Sequence, residues 1–272
     1  MDLLDDGAAE SAVVEAAPDV VYHLAGLASV AQAWEQPALA LTVNHGAMLN
    51  LLEAVRRHAP GARVVCSGSG EIYGPPMALP VDETATLRPQ NPYAVSKAGA
   101  DLLAGMYADV HGMQVIRARA FNHAGPRQSP VYAIASFARQ FALGRLRGDR
   151  PIRIVSGNPS SRRDFTDVRD VVRAYRLLAE RAEPGIYNVG SGRSVSIAEL
   201  VALLGELFEA EVEHAVDADL VREGEVGEIR ASIARLTDAT GWTPEISLEQ
   251  TLADTVAWWE QELARTGVHS AS

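Results

Sequence analysis

Apolar positions along this chain switch repeatedly between two spacings. Residues 19–26 form a short apolar run ending in Gly26, the pattern of a buried strand. Over residues 38–57 the spacing turns helical, with Leu41, Met48, Leu51, Leu52 and Val55 on one broad face. A second strand is expected at 62–67. Pro75, Pro76, Pro80, Pro89 and Pro92 then break any long element. Asn91 and Pro92 suit the cap and first position of a helix reaching about His111, and 113–121 reads as a third strand. Strand and helix in alternation imply a parallel sheet covered by helices on both faces. Beyond Gly125-Pro126 the pattern loosens. Helices are expected near 134–147, 167–181, 197–208 and 248–263, with short strands at 152–155 and 186–189. The expected organisation is a sheet domain over 1–126 and, over 127–272, mainly a smaller α+β lobe for substrate, with some elements returning to the sheet.

Composition narrows the function. With 47% hydrophobic and 22% charged residues, the 272-residue chain reads as a globular protein able to bury a core. A formal charge of −11 argues against a general nucleic-acid or anionic-membrane binder. It leaves room for an anionic small substrate, because a few arginines can hold a diphosphate. The single cysteine, Cys66, excludes an intrachain disulfide and argues against a cysteine-based metal cluster. Its strand setting suits an inert core thiol. No metal site and no membrane span are expected, the acidic first residues do not form a signal peptide, and the cytoplasm is the default compartment.

Two stretches carry candidate chemistry. Tyr93 and Lys97 stand four apart near a helix start and so point the same way. A tyrosine of pKa about 10 is a poor base at neutral pH, and a nearby ammonium lowers that value. Such a pair can exchange a proton with an alcohol or ketone, although the spacing also arises by chance. Ser69 closes the strand before Gly70-Glu71-Ile72-Tyr73-Gly74, at the sheet edge where ligands gather. A plain serine-glycine turn would look the same.

Taken together, His23-Leu24-Ala25-Gly26, Ser69, Tyr93-x-x-x-Lys97 and Arg119-Ala120-Phe121-Asn122-His123-Ala124-Gly125-Pro126 resemble the extended short-chain dehydrogenases. Within that class the chain is most similar to the GDP-mannose branch of dehydratases and 4-keto reductases. Residues 163–170, 187–192 and 241–244 continue the likeness, which spans roughly 2–259. The resemblance implies a Rossmann-like, doubly wound parallel sheet, an NAD or NADP cofactor, and a nucleotide-diphosphate sugar, GDP-linked, as substrate. It makes Tyr93 the acid/base, Lys97 the ribose ligand that tunes it, and Ser69 the partner of the reacting C4 oxygen. Asp2, Leu3, Leu24, Ala25, Gly26, Ala28 and His123 would line the cofactor. Asn122, Arg163, Arg222 and Glu225 would hold the nucleotide-sugar. Glu223 stands where the reductase pattern has proline. A homodimer through helices 38–57 and 92–111 is also implied.

Glu71 offers a base for a C5 proton, as a 4,6-dehydratase requires. Reductases of the branch resemble dehydratases here, so Glu71 leaves the reaction open. Gly70 lacks the polar side chain of related dehydratases, and 121–130 looks closer to the reductases. The reading leans to reduction at C4, with 4,6-dehydration, 4-epimerisation and a non-enzymatic or inactive remnant as alternatives.

The resemblance also implies an opening strand and Gly-x-x-Gly-x-x-Gly turn, which this sequence does not show. The strand near 20–24 is then expected at a sheet edge, apolar on both faces. The 272-residue chain is accordingly expected to bind NAD(H) or NADP(H) poorly. Calorimetry showing tight, stoichiometric binding would overturn this expectation.

Overall fold

The computed structural model describes residues 1–221 and 226–267, and it forms two compact units. The chain runs through α1 (Asp6–Ala16), β1 (Val20–His23), α2 (Val30–Glu35), α3 (Pro37–His58), β2 (Arg63–Ser69), α4 (Pro92–His111), β3 (Gln114–Ala120) and β4 (Asn122–Ala124). It continues with α5 (Ala133–Arg147), β5 (Ile152–Ser156), β6 (Arg162–Arg163), β7 (Phe165–Asp167), α6 (Val168–Arg181), β8 (Gly185–Val189) and β9 (Val195–Ser196). Last come α7 (Ile197–Leu207), β10 (Val212–Val216), β11 (Glu228–Ile229), α8 (Ala234–Thr240) and α9 (Leu248–Thr266).

The first unit comprises Met1–Phe121, Val172–Val189 and Ala231–Thr243. Its sheet has the order β1-β2-β3-β8, every pair parallel. Alternation along β2 sends Val64 and Cys66 into a core with Val115 of β3, Leu51, Leu52 and Val55 of α3, and Ala104 and Tyr107 of α4. The opposite face of β2 meets the chain of α6: Arg63 Nη1 donates to the carbonyls of Ala179 and Ala182 (2.7 and 3.0 Å). The fold is α/β with a parallel, Rossmann-like sheet.

Local features add detail to the sequence pattern. The helices α1 and α2 are short and weakly patterned; Asp5 and Ser29 cap them through Ala8 N and Gln32 N. Leu41 is 36% exposed, because the buried face of α3 runs through Ala40, Asn44, Ala47, Met48, Leu51 and Leu52. By length and composition α3 could cross a membrane, yet it is a core helix packed against α1 and α4. At the sheet edge, Val20 and Tyr22 of β1 are exposed while His23 is buried.

The second unit comprises Asn122–Val171, Gly190–Arg230 and Pro244–Ser272, the last segment described to Gly267. Phe137, Phe141, Ile154, Leu200, Leu204, Leu252 and Val256 form its core. The motif Arg163-Asp164-Phe165-Thr166-Asp167-Val168-Arg169-Asp170 supplies this unit with carboxylates that accept from backbone amides. Asp164, fully buried, accepts from Ser191 N (2.7 Å), Ser191 Oγ (2.6 Å) and Gly192 N (3.0 Å). Asp167 accepts from Arg169 N and Thr251 Oγ1, and Asp170 from the amides of Glu245 and Ile246. Replacing Asp164 by alanine strands the part-buried amides of Ser191 and Gly192. It is expected to cost roughly 2–4 kcal/mol, read as a lower urea midpoint at unchanged m-value.

Candidate active site

The parallel sheet places the ends of β1, β2 and β3 along one edge. Ser69 pairs in register with Ala120, and His23 with Cys66. Ser69 is buried, and its Oγ accepts from Glu71 N (3.2 Å), capping the short 3₁₀ turn Gly70–Tyr73. With that lone pair engaged by an amide, the hydroxyl proton is directed toward another acceptor. Glu71, half-buried, opens the same turn.

The Asn91 side chain accepts from Ala94 N (2.8 Å) and starts α4, with Pro92 in its first turn. Tyr93 sits in this turn, half-buried against the cluster of Leu27, Ala33 and Ala40. One turn later Lys97 reaches β2, where Nζ donates to the Ser67 carbonyl (3.1 Å). This bond ties the helix of Tyr93 to the strand of Ser69 two residues before its end. Burial lowers the Lys97 ammonium below its ordinary pKa, so its charge is poorly screened by water.

A buried carboxamide that the sequence pattern did not single out organises the loop after β1. Asn44 Oδ1 accepts from Leu27 N (2.8 Å), and its Nδ2 donates to Leu27 O (3.1 Å) and Ser96 Oγ (2.7 Å). Ser96 Oγ in turn donates to the Tyr93 carbonyl (2.7 Å). One side chain thus joins the 24–28 loop to the first turn of α4. The available signal was a polar residue on the apolar face of α3, where a buried amide needs partners. Gly26 is required here: its φ is +154°, and a Cβ would lie 2.6 Å from Asn44 Oδ1 and 3.8 Å from Lys97 Nζ. Leu24, Ala25, Gly26 and Ala28 are exposed around the buried Leu27. An exposed glycine-bearing backbone above an ammonium fits the nicotinamide-ribose end of a dinucleotide.

The other sequence-derived candidates are scattered. Asp2 accepts from Leu4 N, and Leu3 packs on the first core with its carbonyl bound by Asn50. In the second unit, Asn122 and His123 lie on β4, paired with Phe165 and Thr166 of β7. Arg163 Nη1 donates to the Arg162 and Val226 carbonyls. Arg222 and Glu225 lie outside the described residues. Gly70 does not have a positive φ; a Cβ there would come within 2.9–3.0 Å of three atoms of the Phe121 ring. The Cys66 thiol is buried and pushed up to about 12 by desolvation, which keeps it an inert thiol.

Burial, reinforced by the Lys97 charge, holds the His23 imidazole down to about 4. Unfolding returns it to about 6.5. Between these values the unfolded chain binds the proton first, so stability falls as pH drops from about 6.5 toward 4. The loss attributable to His23 is about 3 kcal/mol at most. Denaturant titrations of wild type and His23→Gln across this range are expected to show a flatter pH dependence in the variant.

Known proteins resemble this chain over most of its length. The family model described as GDP-mannose 4,6 dehydratase matches residues 1–255. GDP-6-deoxy-D-mannose reductase of Pseudomonas aeruginosa is 40% identical over 90% of this chain and 82% of its own length. GDP-mannose 4,6 dehydratase 1 of Arabidopsis thaliana is 29% identical, over 86% of this chain and 65% of that protein. Among solved structures, RMD from Pseudomonas aeruginosa complexed with NADPH superposes with a TM-score of 0.89 at 39% identity, covering 96% of this chain and 87% of that one. UDP-glucose 4-epimerase of Thermotoga maritima with UDP-glucose gives 0.87 at 29% identity, covering 97% and 84%. By its parallel sheet, the matching family model and these relatives, the chain belongs to the GDP-mannose 4,6-dehydratase family of extended short-chain dehydrogenases.

Proposed function

We propose that this protein reduces the C4 ketone of a GDP-linked 4-keto-6-deoxyhexose, consuming NADPH or NADH. The observation that carries the reading is the Lys97–Ser67 bond, which sets the Tyr93 helix against the strand ending at Ser69. The 40% identity to a GDP-6-deoxy-D-mannose reductase supports the substrate class.

Bound reduced nicotinamide would supply a hydride to C4. Ser69, its oxygen already engaged by Glu71 N, donates a hydrogen bond to the C4 oxygen, keeps its proton and polarises the carbonyl. The Tyr93 hydroxyl gives a proton to the alkoxide that forms, so ketone, hydride and proton yield a secondary alcohol. Lys97, desolvated and close, stabilises the phenolate left on Tyr93. Tyr73 is unsuited to proton transfer, because burial raises its pKa and its hydroxyl donates to Asn188 Oδ1 while accepting from Arg119. The crowding of position 70 by Phe121 leaves no side-chain acid between Ser69 and Glu71, which supports reduction over loss of a C6 hydroxyl. Arg163 and Asn122 remain the proposed sugar-nucleotide ligands, and His123 a cofactor contact.

We also propose a homodimer. Leu41 and Leu49 on α3, with Val95, Leu102, Met106 and Val110 on α4, leave an apolar surface on two helices that pack together.

Preceded by the glycine-rich strand and turn that the resemblance implies, the enzyme given GDP-4-keto-6-deoxy-mannose and NADPH is expected to oxidise cofactor and reduce sugar one for one, followed by nicotinamide absorbance. Tyr93→Phe is expected to lower kcat by roughly 10²-fold or more with little change in sugar affinity. Glu71→Gln is expected to keep most activity. Conversion of GDP-mannose to the keto sugar with no net cofactor change, abolished by Glu71→Gln, would instead establish the dehydratase.

A further inference from the structure

A buried charged network lies directly behind the site. Asp101, two turns along α4 from Tyr93, has a side chain only 1% exposed. Its carboxylate accepts from Arg119 Nε and Nη2 (3.0 and 2.7 Å) in a two-point fork and from Arg117 Nη1 (3.2 Å). Arg119, 4% exposed, uses Nη1 to reach the Tyr73 hydroxyl (2.9 Å). That hydroxyl donates to Asn188 Oδ1 on β8 (2.7 Å), and Asn188 Nδ2 donates to the Val81 carbonyl (3.0 Å). The Asn188 amide is held by Glu83 Oε1 (2.7 Å). The network therefore joins α4, β3, β8, the 3₁₀ turn and the proline-rich segment between Ser69 and Tyr93.

Tyr73 is the point where the two halves of the site meet. It is the last residue of the turn that begins at Gly70, next to Ser69 and Glu71. The carboxylate at the far end of the chain of bonds belongs to the helix that carries Tyr93 and Lys97. A buried guanidinium–carboxylate fork is directional and admits little sliding. Breaking one side leaves an uncompensated charge in a dry interior, so the network is held in one arrangement.

We infer that Tyr73 is a positioning residue: through Arg119 and Asp101 its hydroxyl sets the Ser69–Glu71 turn against the first turns of α4. The inference rests on the reductase reading for its kinetic readout. It goes beyond that reading by giving a non-contacting tyrosine control of the reacting geometry. Reduction at C4 needs the Ser69 and Tyr93 hydroxyls on the same oxygen, and a small displacement of one against the other costs rate steeply.

The test is Tyr73→Phe, which removes only the hydroxyl, beside Asn188→Ser. Asp164→Ala, destabilising but in the second unit, is the control. At a temperature where all are folded, both network variants are expected to lose about 10- to 100-fold in kcat. KM for the keto sugar should stay within about twofold, because no sugar contact is removed. Amide exchange by mass spectrometry should show faster exchange in residues 69–74 and 91–97, with the interior of β2 and β3 unchanged. Unchanged kcat in Tyr73→Phe, or an equal loss in the control, would overturn the positioning role. The kinetics are read in the version preceded by the glycine-rich segment; if that version without substitutions does not turn over the keto sugar, the reductase reading falls instead. Exchange then decides the inference alone: unaltered exchange in both segments refutes it, and coupled loosening of both supports it.

Discussion

One bond holds the candidate site together: the Lys97 ammonium donating to the Ser67 carbonyl. It crosses from helix to strand at the edge where a parallel sheet collects ligands. A lysine in water would gain little from a carbonyl. Here burial removes competing water, and the ammonium must take protein partners. The cost of that desolvation is tolerated because the same charge, poorly screened, can act on the Tyr93 phenol. Positioning and electrostatics therefore arise from one placement.

Around this bond the structure repeats one device, a polar side chain inside an apolar layer that satisfies backbone groups across elements. Asn44 does so for the 24–28 loop and α4, Asp164 and Asp170 for loops of the second unit, and Asn188 for the segment near Val81. Each replaces water at backbone groups that a short loop cannot pair by itself. The resulting loops are fixed by directional bonds as well as by packing. This suits the proposed reaction, in which two hydroxyls share one oxygen.

The two tyrosines near the site show how environment decides role. Tyr73 has both its donor and its acceptor engaged by Asn188 and Arg119, and burial raises its pKa. Tyr93 stands half-buried on the first turn of α4, one turn before a desolvated ammonium. The same side chain is a structural strut in one place and, in the proposed mechanism, a proton donor in the other.

The alternation of apolar spacings was enough to read the parallel sheet and the α4 helix with its Asn91 cap, because period and capping are local properties of the chain. The same pattern set Ser69 at a strand end and placed Tyr93 and Lys97 one helical turn apart. What lay beyond it depends on contacts distant in sequence. Leu41 belonged to the pattern yet is exposed, because the helices packed on α3 select its buried face. Asp101, Arg119, Tyr73 and Asn188 look like ordinary polar positions until the fold brings them together across separations of 18 to 115 residues. Period and motif carry no record of such pairs. Tertiary structure decided them, since only a closed core removes the water that would otherwise satisfy each group alone.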